Sequence, residues 1–171
     1  MIGLRDIIKN TLGSVDSYAH IDMFAVHLIE ITFLEESNKM NVIHNESANP
    51  IRYGLTGLTE KQIRAFINDR IKINERWVED INNTALIDVH KDNMEDIIEA
   101  MSYNIALQTL FSFFFYLDAA KDMPDGINEA VEYYFSYWPS VKKKATPENK
   151  KAVAVLLTNW SNKITNGRLV A

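Results

Sequence analysis

The sequence predicts a mainly α fold of the α+β kind: an early helix, a small polar hairpin region, then a helical bundle around a buried central helix. Three observations predict it. Apolar residues recur at helical spacing through most of the 171 residues. Helix-start signals stand at Thr59, Asp92 and Thr146. One stretch alone, 37–57, is polar and asparagine-rich and closes on two glycines, Gly54 and Gly57.

The elements follow in chain order. Leu4, Ile7, Ile8 and Leu12 predict a short helix over 4–12. Met23, Val26, His27, Glu30 and Leu34 recur along a stronger one at about 21–35, and Phe24, Leu28, Ile31 and Phe33 widen its apolar face. In the polar stretch, Met40–Ile43 and Ile51–Tyr53 suit a small irregular hairpin. Thr59-Glu60-Lys61-Gln62 is a capping-box sequence, in which Thr59 caps and Gln62 reaches back to its amide. Ile63, Phe66, Ile67, Ile71 and Trp77 then mark one face of a helix over about 59–80.

Asp92 opens a second long helix, about 92–118, whose stripe of Met94, Ile97, Ile98, Met101 and Ile105 runs into Phe111–Phe115. A helix apolar on all sides belongs in a core. Asp125-Gly126 starts a helix over about 126–138 that Pro139 stops, and Thr146-Pro147 starts the last, about 147–160, lined by Val153, Leu156, Leu157 and Trp160. With 47% hydrophobic residues and only 6 glycines and 4 prolines, the expectation is one domain over 1–171, with a helical lobe at about 59–165.

Composition excludes several functions. The chain has no cysteine, so disulfides, thiolate metal sites and cysteine nucleophiles are excluded. A formal net charge of -5 and a pI near 5.4 argue against a general nucleic-acid binder, which needs a basic surplus. Lys142–Lys144 with Lys150 and Lys151 form one basic cluster, read as a solvated loop and helix start. The longest apolar run, Leu110–Leu117, is far short of a membrane span of ~20 residues. Residues 1–16 lack a signal peptide's apolar core. The expectation is therefore synthesis in the cytoplasm, with a final place in the host cytoplasm or a virion. His20, His27, His44 and His90 lack metal-ligand neighbours, so no metal and no cofactor is expected.

The order of elements is more telling than any single motif. A helix ending in an acid, followed by a polar hairpin, suits a glycoside hydrolase in which the acid protonates the glycosidic oxygen and a hairpin group holds water or stabilises the developing cation. At this point the chain resembles the tailed-phage lysozyme (muramidase) family. Pro50-Ile51-Arg52-Tyr53-Gly54-Leu55-Thr56 stands where that family has Thr-Ile-Gly-Tyr-Gly-His-Thr, and counting back from it lands on Glu35 as the catalytic glutamate. Leu58–Gln62 through Asp69, Met101–Ala106, and the series Trp138, Thr146-Pro147, Trp160 are similar to the family's later motifs, so the resemblance covers about Phe24 to Trp160.

The departures are as informative. The family's aspartate position falls on His44 and its threonine position on Pro50, which has no hydroxyl to position a water. Arg52, Leu55 and Ala106 replace a glycine, a histidine and a glycine. The resemblance implies Glu35 as general acid, His44 or Glu46 as substitute partner, and Tyr53, Gly54, Tyr103 and Asn104 as substrate-binding residues. Glu30 and Glu36 are rivals to Glu35.

Three functions follow. The first is a glycosidase cutting the glycan strands of peptidoglycan. The second is a lysozyme-fold protein without catalysis, a structural or interaction piece of a phage particle, meeting a protein partner through the hairpin and the Tyr133–Trp138 aromatics. The third is a generic helical interaction module. None implies a membrane span, and the sequence leaves the oligomeric state open.

Overall fold

The computed structural model describes residues 3–15, 23–37, 51–139 and 145–165. Among these the fold is mainly α, with eight α-helices and one two-stranded antiparallel sheet. Helix α1 is Leu4–Gly13 and α2 is Met23–Glu36. Strands β1 (Arg52–Tyr53) and β2 (Leu58–Thr59) pair with Arg52 opposite Thr59 and Tyr53 opposite Leu58. Then come α3 (Glu60–Phe66), a π-helical turn (Ile67–Ile71), α4 (Glu75–Ala85), α5 (Met94–Ala100), α6 (Ile105–Ala120), α7 (Ile127–Tyr137) and α8 (Pro147–Thr165).

Helix α6 is the centre, as its apolar sequence requires: from Leu107 to Tyr116 every side chain but Phe115 is buried. Its rings lock the neighbours in place. Phe111 meets Phe66 at 4.9 Å, Phe114 stacks on Trp77 at 4.8 Å, and Phe115 and Tyr116 meet Trp138 at 5.1 and 5.3 Å. Helix α2 is buried on all sides between Ala25 and Leu34. It ties to α6 through the Thr32 and Tyr116 hydroxyls, 2.7 Å apart. Burial pushes the Tyr116 phenol pKa well up, so this bond is made by the neutral side chain.

The two long helices expected over 59–80 and 92–118 are each divided. The capping box forms as expected, with Gln62 N–H donating to Thr59 Oγ1 at 3.4 Å and Thr59 N–H to Gln62 Oε1 at 2.9 Å. At the end of α3 the Lys72 N–H reaches back to Ile67 O at 2.9 Å, an i→i+5 bond that widens the helix by one residue. The chain then breaks, and Asn74 caps α4 by accepting from Trp77 N–H at 3.3 Å. The second division falls at 101–104, where Asn104 takes extended backbone and caps α6. The N-cap of α5 is Asn93, not Asp92, whose carboxylate instead accepts from Asp88 N–H at 2.9 Å.

Tyr134 and Trp138 are buried, as the apolar face of the 126–138 helix predicts, so the partner surface expected at Tyr133–Trp138 is corrected to Tyr133 and Tyr137, half-buried against one another at 5.4 Å. The helical period of α7 turns Tyr134 and Trp138 inward together with Val131. No helix among the described residues is long and apolar enough to cross a membrane. The side chains of 160–165, Trp160 included, and residues 142–144 lie outside the described residues.

Candidate functional site at the end of helix α2

Three acids of α2, one in its middle and two at its end, compete for the role of site carboxylate, and their surroundings differ. Glu30 is 1% exposed and bound to Arg5 of α1, whose Nε donates to its two oxygens at 3.2 and 3.0 Å. Glu35 is half-buried and close enough to Tyr134 to help push that phenol's pKa up. Glu36 is the last residue of the helix and stands at a junction of three elements. Its Oε1 accepts from the Tyr134 hydroxyl of α7 at 2.9 Å, and its Oε2 lies 2.9 Å from where a Cβ on Gly57 would be. Burial first, then the Glu36 charge, raise the Tyr134 phenol pKa far above its ordinary range, so Tyr134 is a donor at any working pH.

The four residues between the strands form a seated turn. Gly54 and Gly57 have φ of +58° and +60°, where a Cβ is strained. Below Gly54 the space is filled: a Cβ would sit 2.1 Å from the Met101 carbonyl oxygen and 2.6 Å from the Gln108 side chain. Leu55 N–H donates to Gln108 Oε1 at 2.7 Å and Trp138 Nε1–H to Thr56 O at 3.3 Å. Thr56 Oγ1 donates to Tyr53 O at 2.9 Å, and Arg52 Nη1 to Gly57 O at 2.7 Å. Helices α6 and α7 thus hold the turn against the end of α2.

The strand side of the hairpin borders an open groove of about 580 Å³. Tyr53 and Tyr103 stand on its rim, and Glu99 and Ser102 line it from the α5 end. Arg64 forms a wall, donating to Glu60 and to Glu95 at 2.7 Å each and so joining α3 to α5. The Arg64 hydrogen bond holds the Glu95 carboxyl below its ordinary value. Neither Glu35 nor Glu36 is part of this lining.

Comparison of the chain with family models, with curated proteins and with solved structures finds no match. The site therefore stands on its own geometry.

Of the residues expected from sequence, Tyr53 and Tyr103 share the groove, and Gly54 lies in the turn above Gln108. Asn104 has both ends of its amide committed to the fold: Oδ1 accepts from Leu107 N–H at 3.0 Å and Nδ2 donates to Ala85 O at 2.9 Å. His44, Glu46 and Pro50 lie outside the described residues. His27 is buried at an edge to Phe24, and His90 is exposed. Among the described residues no group of acids and histidines has the arrangement to hold a metal.

Sequence reasoning missed Tyr134 as a partner of Glu36, and Gln108 and Trp138 as the seat of the turn. Gln108 did carry a signal. It is a polar residue within the apolar stretch Ile105–Leu117, and a buried amide there needs a partner from elsewhere in the chain.

Proposed function

We propose that this chain is a lysozyme-like glycosidase acting on peptidoglycan glycan strands, with Glu36 rather than Glu35 as its general acid. The observation that carries the reading is the placement of the Glu36 carboxylate. It stands at a helix end, against the turn of a polar hairpin, oriented by one phenol. Tyr134 donates to Oε1, and Oε2 faces Gly57 of the turn. In the reaction Glu36 gives its proton to the glycosidic oxygen, the bond from that oxygen to the anomeric carbon breaks, and positive charge develops on the sugar ring. A water then bonds to the anomeric carbon, and the proton it releases restores the acid. The resemblance to tailed-phage lysozymes assigns the second polar group to His44 or Glu46. The tyrosine-rimmed groove along β1 supplies a binding surface for neighbouring sugars, since aromatic faces pack on sugar rings.

The test is release of reducing ends from purified bacterial cell walls. Glu36→Gln keeps shape and polarity but removes the transferable proton, so it abolishes release at an unchanged melting temperature, while Glu35→Gln retains activity. A wild-type protein with no turnover between about pH 4 and 8 overturns the reading.

A second reading, a lysozyme-like structural or interaction protein without catalysis, is favoured by a different observation. Leu86, 84% exposed and held at φ +58°, follows Ala85, whose carbonyl is tied to Asn104 beside the 69%-exposed Tyr103. A strained, exposed leucine beside an exposed tyrosine is the kind of feature a protein partner covers. Loss of partner capture on Leu86→Gly, in a protein inactive on cell walls, selects this reading.

A further inference from the structure

Within the most apolar helix of the molecule, two polar side chains are fully buried one turn apart on the same face: Gln108 and Ser112. Neither the Gln108 Nε2 nor the Ser112 Oγ has a hydrogen-bond partner among the described residues. An unsatisfied buried donor destabilises the fold, which an apolar side chain at either position would avoid. The Gln108 amide has a specific engagement to set against that cost. Its Oε1 holds Leu55 N–H at 2.7 Å, and its Cδ and Oε1 fill the space under Gly54, whose positive φ brings the backbone down onto them. A short turn with Gly54 seated at one end places Gly57 at the other, where it faces Oε2 and Cβ of Glu36.

We infer that Gln108 is the positioning residue of the Glu36 site: by seating the Gly54–Gly57 turn from below, it holds that turn against the Glu36 carboxylate and so sets the carboxylate's exposure. The inference rests on Glu36 being the site acid. The link is one of geometry: Gln108 bonds the turn, Gly57 of the turn faces Glu36 with no room for a Cβ between them, and Tyr134 bonds Glu36 from α7. Ser112 shares Gln108's burial and face, and no hydrogen bond joins it to the turn among the described residues, so it serves as the control.

The test reads the carboxyl carbon of each glutamate by NMR through a pH titration of the full chain, for wild type, Gln108→Met and Ser112→Ala. Gln108→Met keeps volume but removes the acceptor for Leu55. The loosened turn lets water reach Glu36, and its midpoint differs from that of the wild type by about half a unit or more. The midpoint of Glu30, enclosed with Arg5 on the same helix, stays in place, and Ser112→Ala moves neither. If Gln108→Met does not fold, Gln108→Asn draws the amide back by one methylene with less disruption, and the same displacement of Glu36 is expected. A folded Gln108 variant whose Glu36 midpoint is unmoved, or whose Glu30 midpoint moves equally, overturns the inference and leaves Gln108 a packing residue. On cell walls, the variant that displaces Glu36 lowers turnover about tenfold with the apparent KM unchanged. If the wild type itself releases nothing, the glycosidase reading fails, and the titration still decides the role of Gln108.

Discussion

Of the three carboxylates on helix α2, Glu30 and Glu36 are treated in opposite ways. Glu30 lies in the middle of the helix, in a mostly apolar stretch, and among the described residues the Arg5 guanidinium from α1 pairs with it. Glu36 lies at the end, where the helix gives out and a turn and a phenol approach from separate elements. Burial is the dominant influence on Glu30 and raises its pKa above the ordinary value, with Arg5 pulling the other way. Through that carboxylate Arg5 ties α1 to α2. Position along one helix therefore separates a carboxylate that fastens the structure from one presented at a junction.

Removing one partner from each carboxylate breaks the comparison most directly. Arg5→Ala leaves the Glu30 charge buried and unpaired and costs about 3–5 kcal/mol in chemical denaturation. Tyr134→Phe deletes one hydrogen bond to a half-buried acid and costs about 1–2 kcal/mol, with a fall in cell-wall turnover that Arg5→Ala does not share at temperatures where both variants are folded. Equal costs would mean that the two carboxylates are alike.

The glycines of the turn sharpen the same contrast on the Glu36 side. Gly54→Ala drives a Cβ into the Met101 backbone carbonyl, which cannot move away, and costs about 2–5 kcal/mol from clash and positive φ together. Gly57→Ala meets Oε2 of Glu36 at 2.9 Å, which can swing, and its Cβ at 3.1 Å, which must give by a few tenths of an ångström, and so costs less, about 1–3 kcal/mol with the strain of φ. Melting curves rank the two; the reverse order would mean that the turn is not seated on α6.

The smallest effect is one of pH. The folded pKa of Glu30 is raised above its ordinary 4.5, so the native protein holds this proton more tightly than the unfolded chain. Its contribution to stability is complete below about pH 4.5 and is lost as pH rises through the folded value. Wild type is therefore stabilised relative to Glu30→Gln more at pH 4 than at pH 7, by about 1 kcal/mol or less. A difference in melting temperature that grows with pH instead would show that Arg5, not burial, governs Glu30.

Helices and caps were legible because both are local: Thr59, Thr146 and the apolar stripes act within one or two turns. The breaks within the two long helices were not, although Asn74 and Asn104 stood there as caps. An apolar series such as Ile63, Ile67, Ile71 reads the same across a π-turn as along a continuous helix, and Asn104 was taken for a cleft residue because of the motif around it. Spacing from the Tyr53-Gly54 run indicates Glu35, whereas the acid proposed above is its neighbour Glu36; spacing carries no information on the direction in which a side chain leaves the last turn. Tyr134 and Gln108 lie 98 and 53 residues from the groups they bond, and no local pattern encodes a pairing at that range.

The indole of Trp138 is fully enclosed by Phe115 and Tyr116, and its single polar edge rests on the carbonyl of Thr56. An indole emits to the blue in a dry setting and to the red when water reaches its nitrogen. The protein therefore carries a lamp wired to its own hairpin. If the turn lifts when a sugar chain or a partner arrives, the colour of Trp138 emission records it without any label, in a chain where only Trp77 and Trp160 compete for the signal.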